Sequence, residues 1–163
     1  MAESRGRPGL SLVVPVFNEE TRVAESGDEL VRFVAGCGPG SELIFVDDGS
    51  TDGTAAVVEE LAARSARLAA AVAVRLVRRP HRGKGAAVRA GLETAGAEYA
   101  GFTDVDLSTP IDQLDAVFTA AVMGSVIAIG SRDVPASRLL RPQRRSRELL
   151  GKSYNRLAQL TVV

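Results

Sequence analysis

The chain has 163 residues, 45% of them apolar, with twenty Lys and Arg balanced by twenty Asp and Glu. That length fits one domain with a real core, and the zero net charge removes any global attraction to nucleic acid or membrane. A single cysteine, Cys37, excludes an internal disulfide and suits a reducing, cytoplasmic setting, and no run of about 18 apolar residues exists to form a transmembrane helix.

Residues 1–9, MAESRGRPG, lack the apolar centre of a signal peptide and read as a disordered lead-in. Leu10 to Val16 (LSLVVPV) is a β-rich run suited to a strand buried on both faces. Asn18 is placed to cap a helix whose first turn holds Glu19 and Glu20; that helix should reach about Ala35, weakened near its middle by Gly27. A second strand, Glu42 to Val46, runs into Asp47-Asp48-Gly49-Ser50-Thr51-Asp52. Asp52 or Thr51 then caps a helix with Val57, Val58 and Leu61 on its inward face.

Val72 to Val77 reads as a third strand and Gly83 to Gly96 as a third helix. Tyr99 to Phe102 is a fourth strand, Asp112 to Met123 a helix, and Ser125 to Gly130 a fifth strand. Strand and helix alternate four times, which calls for an α/β fold: a Rossmann-like, mostly parallel sheet with helices on both faces. In such sheets ligands sit beyond the carboxyl ends of the strands. Every polar cluster falls at such an end: Asn18, Asp47–Asp48, His81–Lys84, Asp104–Asp106 and Ser131–Arg132.

Asp104-Val105-Asp106 carries the sharpest chemistry. Two carboxylates two apart converge on one ligand only where the chain is turning out of its strand. Hard Mg²⁺ or Mn²⁺ takes oxygen ligands, commonly one or two carboxylates plus phosphate oxygens and water. Arg82-Gly83-Lys84-Gly85 opens a helix, where glycines admit a diphosphate to the backbone, the helix N-terminus favours anions and Lys84 adds a point charge. The Walker spacing and Gly-x-Gly-x-x-Gly are both absent, which disfavours a P-loop and a dinucleotide cofactor. His81, the sole histidine, reads as a loop residue near the ligand.

Pro15-Val16-Phe17-Asn18-Glu19-Glu20, Val46-Asp47-Asp48-Gly49-Ser50-Thr51-Asp52-Gly53-Thr54, Arg82-Gly83-Lys84-Gly85 and Asp104-Val105-Asp106 occur in that order. Together they resemble the nucleotide-sugar domain of glycosyltransferase family 2, with the glycosyltransferase-A fold. Arg82 to Arg89 and Asp104 to Pro110 look most like the dolichyl- and polyprenyl-phosphate glucose and mannose synthases. The resemblance covers residues 10 to about 160 and implies a domain over 10–163. Relatives of this type continue further, so its acceptor-side part is expected to be incomplete and the chain truncated.

The resemblance assigns Asp106 to the metal, Mg²⁺ or Mn²⁺, and Asp104 to the ribose or sugar, as the two catalytic carboxylates. On its own chemistry Asp47 suits a base N–H or a ribose hydroxyl; the resemblance points to the base. Pro15 and Val16 are expected to line the base pocket, Asn18 and Glu19 to lie near the ribose or only to cap a helix, and Lys84, Gly85 and Val105 to complete the donor site. Asp48 either faces the pocket or orders the Gly49 turn, and Asp52 reads as a cap. Arg132 is matched to acceptor phosphate.

The expected activity is metal-dependent, inverting transfer of a hexose from UDP-glucose or GDP-mannose to a polyprenyl phosphate. The alternatives are a family 2 transferase with a soluble acceptor, such as a sugar or phosphoglycerate, and a nucleotide-sugar-binding module without turnover. A sugar-nucleotide pyrophosphorylase is disfavoured, because its glycine-rich loop is missing after the first strand. Residues 132–156 hold eight basic and two acidic side chains, against four basic and twelve acidic in residues 1–60. This basic segment is either a solvated face or a peripheral contact with anionic lipid at the cytoplasmic face of a membrane.

Overall fold

The computed structural model describes residues 7–68 and 72–130. Eight elements alternate there: β1 (Leu10–Val16), α1 (Glu20–Ala35), β2 (Glu42–Asp47), α2 (Thr54–Leu68), β3 (Ala73–Arg78), α3 (Lys84–Glu93), β4 (Tyr99–Phe102) and α4 (Ile111–Val122). The strands form one sheet in the order β3-β2-β1-β4, and every pairing is parallel. Parallel neighbours need a crossover, so each connection carries a helix over a face of the sheet.

The two central strands show why their apolar runs are unbroken. Leu12, Val14 and Val16 of β1 join Leu43 and Phe45 of β2 in a core with Val23, Leu30 and Val34 of α1 and Val58 and Leu61 of α2. The intervening Val13, Ile44 and Val46 pack on the opposite face against Ala87 of α3. Each such aliphatic side chain contributes about 1.5–3 kcal/mol when fully buried. Phe118 of α4 joins the first core and meets Tyr99 edge-on, with centroids 5.8 Å apart. Helices therefore cover both faces, as the alternation of elements requires.

Gly27 has a different role from the weak point expected of it. It is buried in α1, and a Cβ there would lie 2.7 Å from Cδ2 of Leu61. The glycine is the seat into which α2 presses Leu61. Residues 7–9, counted with the lead-in on sequence, are tied to the domain. Arg7 pairs with Asp115 and lies over the Phe118 ring, and the Pro8 carbonyl accepts a hydrogen bond from Gly38 N.

Ser125 to Gly130 is not a strand, contrary to the sequence expectation. Val126 is 99% and Ile127 80% exposed. An apolar run becomes a strand only where a neighbour supplies its hydrogen bonds, and among the described residues β1 is the sole partner of β4. The run has the composition of a strand without the pairing.

At the amino end of the sheet, buried Glu42 ties three elements together. It accepts hydrogen bonds from Ser11 Oγ (2.7 Å), Gly96 N (2.8 Å) and Arg75 Nη1 (2.8 Å). Ser11 Oγ in turn accepts from Ala97 N at 3.0 Å, closing the turn before β4. Burial alone would raise the Glu42 pKa, but the bonds from Arg75, Ser11 and Gly96 outweigh it and hold the carboxyl below its ordinary value. A depressed carboxylate pKa stabilises the fold above the unfolded-state pKa, and that contribution is lost as pH falls through the folded-state value. Glu42→Gln is expected to cost about 2 kcal/mol at neutral pH, the worth of a charge-assisted bond. In urea titrations the gap from wild type should close in acid; a gap independent of pH would contradict this reading.

Candidate active site

Successive crossovers place β2 on one side of β1 and β4 on the other, so a topological switch point lies between β1 and β4. A cleft of about 330 Å³ opens there. Of the residues singled out on sequence, Pro15, Val16, Glu19, Lys84, Asp104, Val105 and Asp106 line it. Asn18, Asp47 and Gly85 are not among its lining residues, and Arg132 lies outside the described residues. The cleft also takes in Phe17, Asp48, His81 and Ala87.

The loops after β1 and β2 hold each other in place. Asn18 does not cap α1. It adopts φ of +54°, and its Oδ1 accepts a hydrogen bond from Thr51 N (2.8 Å) while Ser50 Oγ accepts one from Asn18 N (2.9 Å). The first amides of α1 turn to the neighbouring loop instead: Glu19 N donates to Thr54 Oγ1 (2.8 Å) and Glu20 N to Asp52 Oδ2 (3.3 Å). Glu20 reciprocates by accepting from Gly53 N at 3.0 Å, and Asp52 Oδ1 accepts from Thr54 N at 3.0 Å. Asp52 is thus a cap, as expected, but one shared by two helices.

The two adjacent aspartates at the end of β2 divide their work. Asp47 Oδ1 accepts from Ser50 N (2.9 Å) and so closes its own turn. Asp48, 3% exposed, reaches across to the loop before α3. Its carboxylate accepts from Arg82 N (3.1 Å) and Gly83 N (2.7 Å) and lies 3.4 Å from Arg79 Nε and 2.9 Å from His81 Nδ1. The His81 ring rests on Phe17, centroids 4.2 Å apart, at the rim of the cleft. Asp48 therefore faces the cleft and also orders the loop that presents Lys84. Gly83 carries φ of +89°, which admits glycine readily, and a Cβ on Gly83 or Gly85 would meet no atom within 4 Å. Space beside this backbone is open for a ligand.

Asp104 and Asp106 lie just beyond β4, where the chain turns. Leu107 N donates to the Asp104 carbonyl at 3.4 Å, and Leu107 takes φ of +48°, an outlier for a bulky side chain. Asp106 Oδ1 accepts from Ser108 N at 2.9 Å. Burial would raise the Asp106 pKa, but the Ser108 bonds and the charges of Arg22 and Lys84 keep it below the ordinary carboxylate value. Arg22 is itself held by Glu19, Nη1 to Oε1 at 2.7 Å. Across the cleft Lys84 Nζ meets Asp104 Oδ1 at 2.5 Å, with both side chains at least half exposed. An ion pair in that setting is worth about 0–1 kcal/mol and opens at little cost.

Among the described residues no group of three or more His, Cys, Asp or Glu side chains could hold a metal ion. Asp104 and Asp106 offer carboxylate oxygens only, with room beside them. That donor set fits a hard divalent ion that fills its remaining positions with phosphate oxygens and water, the habit of Mg²⁺.

The sequence model of Glycosyl transferase family 2 matches residues 11–162. The chain belongs to glycosyltransferase family 2. The undecaprenyl-phosphate 4-deoxy-4-formamido-L-arabinose transferase of Aeromonas hydrophila is 34% identical over 118 residues, covering 71% of this chain and 34% of that protein. The dolichyl-phosphate beta-glucosyltransferase of Trichomonas vaginalis is 32% identical over 133 residues, covering 75% of this chain and 38% of its own length. The chain thus spans only about a third of these relatives.

Among solved structures, the mannosyltransferase of Pyrobaculum calidifontis in complex with GDP-Man and Mn²⁺ superposes with a TM-score of 0.50 at 30% identity, over 63% of this chain and 28% of that one. Glucosyl-3-phosphoglycerate synthase of Mycobacterium tuberculosis, with Mn²⁺, UDP and glucosyl-3-phosphoglycerate, gives 0.50 at 25% identity over 72% of this chain and 40% of that one. The four-stranded parallel sheet flanked by helices has the glycosyltransferase-A fold of these neighbours. Among the described residues no helix is long and apolar enough to cross a membrane.

Proposed function

We propose that this domain binds a nucleotide-activated hexose through a divalent cation and, within a family 2 enzyme, passes the sugar with inversion to a polyprenyl phosphate. The observation that carries this reading is the gathering of Lys84, Asp104 and Asp106 in one cleft at the β1/β4 switch point. Asp106 would hold Mg²⁺ or Mn²⁺, and Asp104 the ribose or sugar. Pro15 and Val16 would meet the base and Glu19 the ribose, while Asp47 and Asn18, outside the cleft lining, would brace the loops that carry them. A cation bound there supplies Lewis-acid stabilisation of the diphosphate as negative charge builds on it. Lys84 and the open backbone at Gly83 and Gly85 would orient that diphosphate.

A phosphate acceptor is already ionised at neutral pH, so transfer to it needs no dedicated general base. Two relatives, the arabinose-derivative and glucose transferases, carry undecaprenyl phosphate and dolichyl phosphate in their names, which supports a polyprenyl acceptor. Arg132, in the basic stretch 132–156, is the candidate for its phosphate. A soluble phosphoglycerate acceptor is the second reading, favoured by the likeness to glucosyl-3-phosphoglycerate synthase.

Calorimetric titration with UDP-glucose and GDP-mannose, with and without Mn²⁺, tests the donor. One of the two should bind only when Mn²⁺ is present; no Mn²⁺-dependent binding of either would overturn the reading. For the acceptor, the protein should co-sediment at low salt with vesicles containing polyprenyl phosphate and not with neutral vesicles. If it remains in the supernatant with both, the soluble acceptor takes precedence.

A further inference from the structure

The cleft presents two carboxylates to a metal, yet it is not without a cation. Lys84 Nζ already contacts Asp104 Oδ1 and lines the same cleft as Asp106, two residues on. Arg22 is engaged by both oxygens of Glu19 and is not among the residues lining the cleft. One ammonium therefore already sits in the cleft, beside the carboxylates a divalent ion would approach. It stands on the first residue of α3, on a loop fixed from below by Asp48. The loop is held, while the Lys84 side chain is more than half exposed and carries three rotatable donors at its tip.

We infer that Lys84 is an exchangeable internal counter-ion that couples metal binding to diphosphate binding. Without nucleotide, Lys84 holds Asp104, and its charge opposes that of a metal at Asp106 in the same cleft. When a nucleoside diphosphate enters with a divalent ion, Asp104 is released to the ribose or sugar, and Lys84 swings to a diphosphate oxygen. The metal alone is thereby disfavoured, because it must enter beside an ammonium with no further anion to offset the added charge. The diphosphate supplies that anion. Each ligand then favours the other by the same factor, as linkage requires. A fixed guanidinium fork in place of Lys84 would exchange partners less readily than this point charge on a flexible stem.

This inference rests on the cleft being a metal–diphosphate site, and the test separates the two. Mn²⁺ binding is read by the electron paramagnetic resonance of the free ion, first alone and then with whichever of UDP and GDP binds the wild type. Lys84→Met removes the charge and keeps the stem; Lys84→Arg keeps the charge. Circular dichroism checks that each is folded, as an exposed side chain leads one to expect. Lys84→Met should bind Mn²⁺ alone about 5-fold more tightly than wild type, and its mutual enhancement of Mn²⁺ and nucleoside diphosphate should shrink by about 10-fold. Lys84→Arg should stay near wild type for Mn²⁺ alone.

Unchanged or weaker binding of Mn²⁺ alone by Lys84→Met overturns the counter-ion while leaving the metal–diphosphate reading standing. Tighter Mn²⁺ binding with undiminished enhancement overturns the exchange. Absence of Mn²⁺-dependent nucleotide binding in the wild type overturns both the site and the inference.

Discussion

Asp106→Asn will abolish the Mn²⁺-dependent part of nucleoside diphosphate binding and leave the fold intact. Asparagine has the size of aspartate, and its carbonyl oxygen can still accept the hydrogen bond that Ser108 N now gives to Oδ1. What disappears is the negative charge. A hard cation shared between one or two carboxylates and a diphosphate depends on that charge far more than on shape. Calorimetry with and without Mn²⁺ should give two superimposable isotherms for the variant and two separated ones for wild type. Equal Mn²⁺-dependent affinity in the two proteins would remove Asp106 from the metal.

Asp48→Ala will have the largest effect on stability, about 3–5 kcal/mol, the cost of stranding one partner of a buried ion pair. Arg79, whose Nε has no hydrogen-bond partner and lies 3.4 Å from Asp48, would be left with an uncompensated charge, and the Arg82 and Gly83 amides would lose their acceptor. The loop that presents Lys84 is held by those bonds, so diphosphate affinity should fall together with stability. The urea midpoint of Asp48→Ala should drop well below that of Asp47→Ala, which gives up the bond from Ser50 N. Similar midpoints for the two would show that the aspartates share one role.

That division between Asp47 and Asp48 marks where reading the sequence runs out. The strands were legible because β1 and β2 are covered on both faces, and such strands must be apolar throughout. The site was legible as a set because a parallel sheet puts all its carboxyl-end loops on one side. Which of two adjacent buried carboxylates reaches the cleft depends on the residue at which β2 ends, and composition does not carry that. The cap reading of Asn18 failed for a similar reason. A cap and a left-handed turn draw on the same residue type, and only the backbone angle separates them. Ser125 to Gly130 failed differently, since strand propensity is a statement about fitting beside a neighbour. Phe17 and His81 meet only through the fold, and no spacing in the sequence announces their contact.

The position of β1 in the sheet also sets an order of assembly. β1 pairs with β2 through Ser11 and Glu42, but its other edge pairs with β4 through Leu10 and Tyr99, far later in the chain. Contacts between such distant residues form late, because the intervening loop must close first. On the ribosome the segment from β1 to β3 emerges before Tyr99 exists. The braced loops around Asn18 and Asp52 then take shape while Asp104 and Asp106 are still unmade. Through that interval the central strand of the finished sheet is an edge, apolar and unpaired, which is the form of strand most prone to pair with the wrong neighbour. Nascent chains halted between α3 and β4 should therefore draw on chaperones more heavily than those in which Tyr99 to Phe102 has already closed against β1.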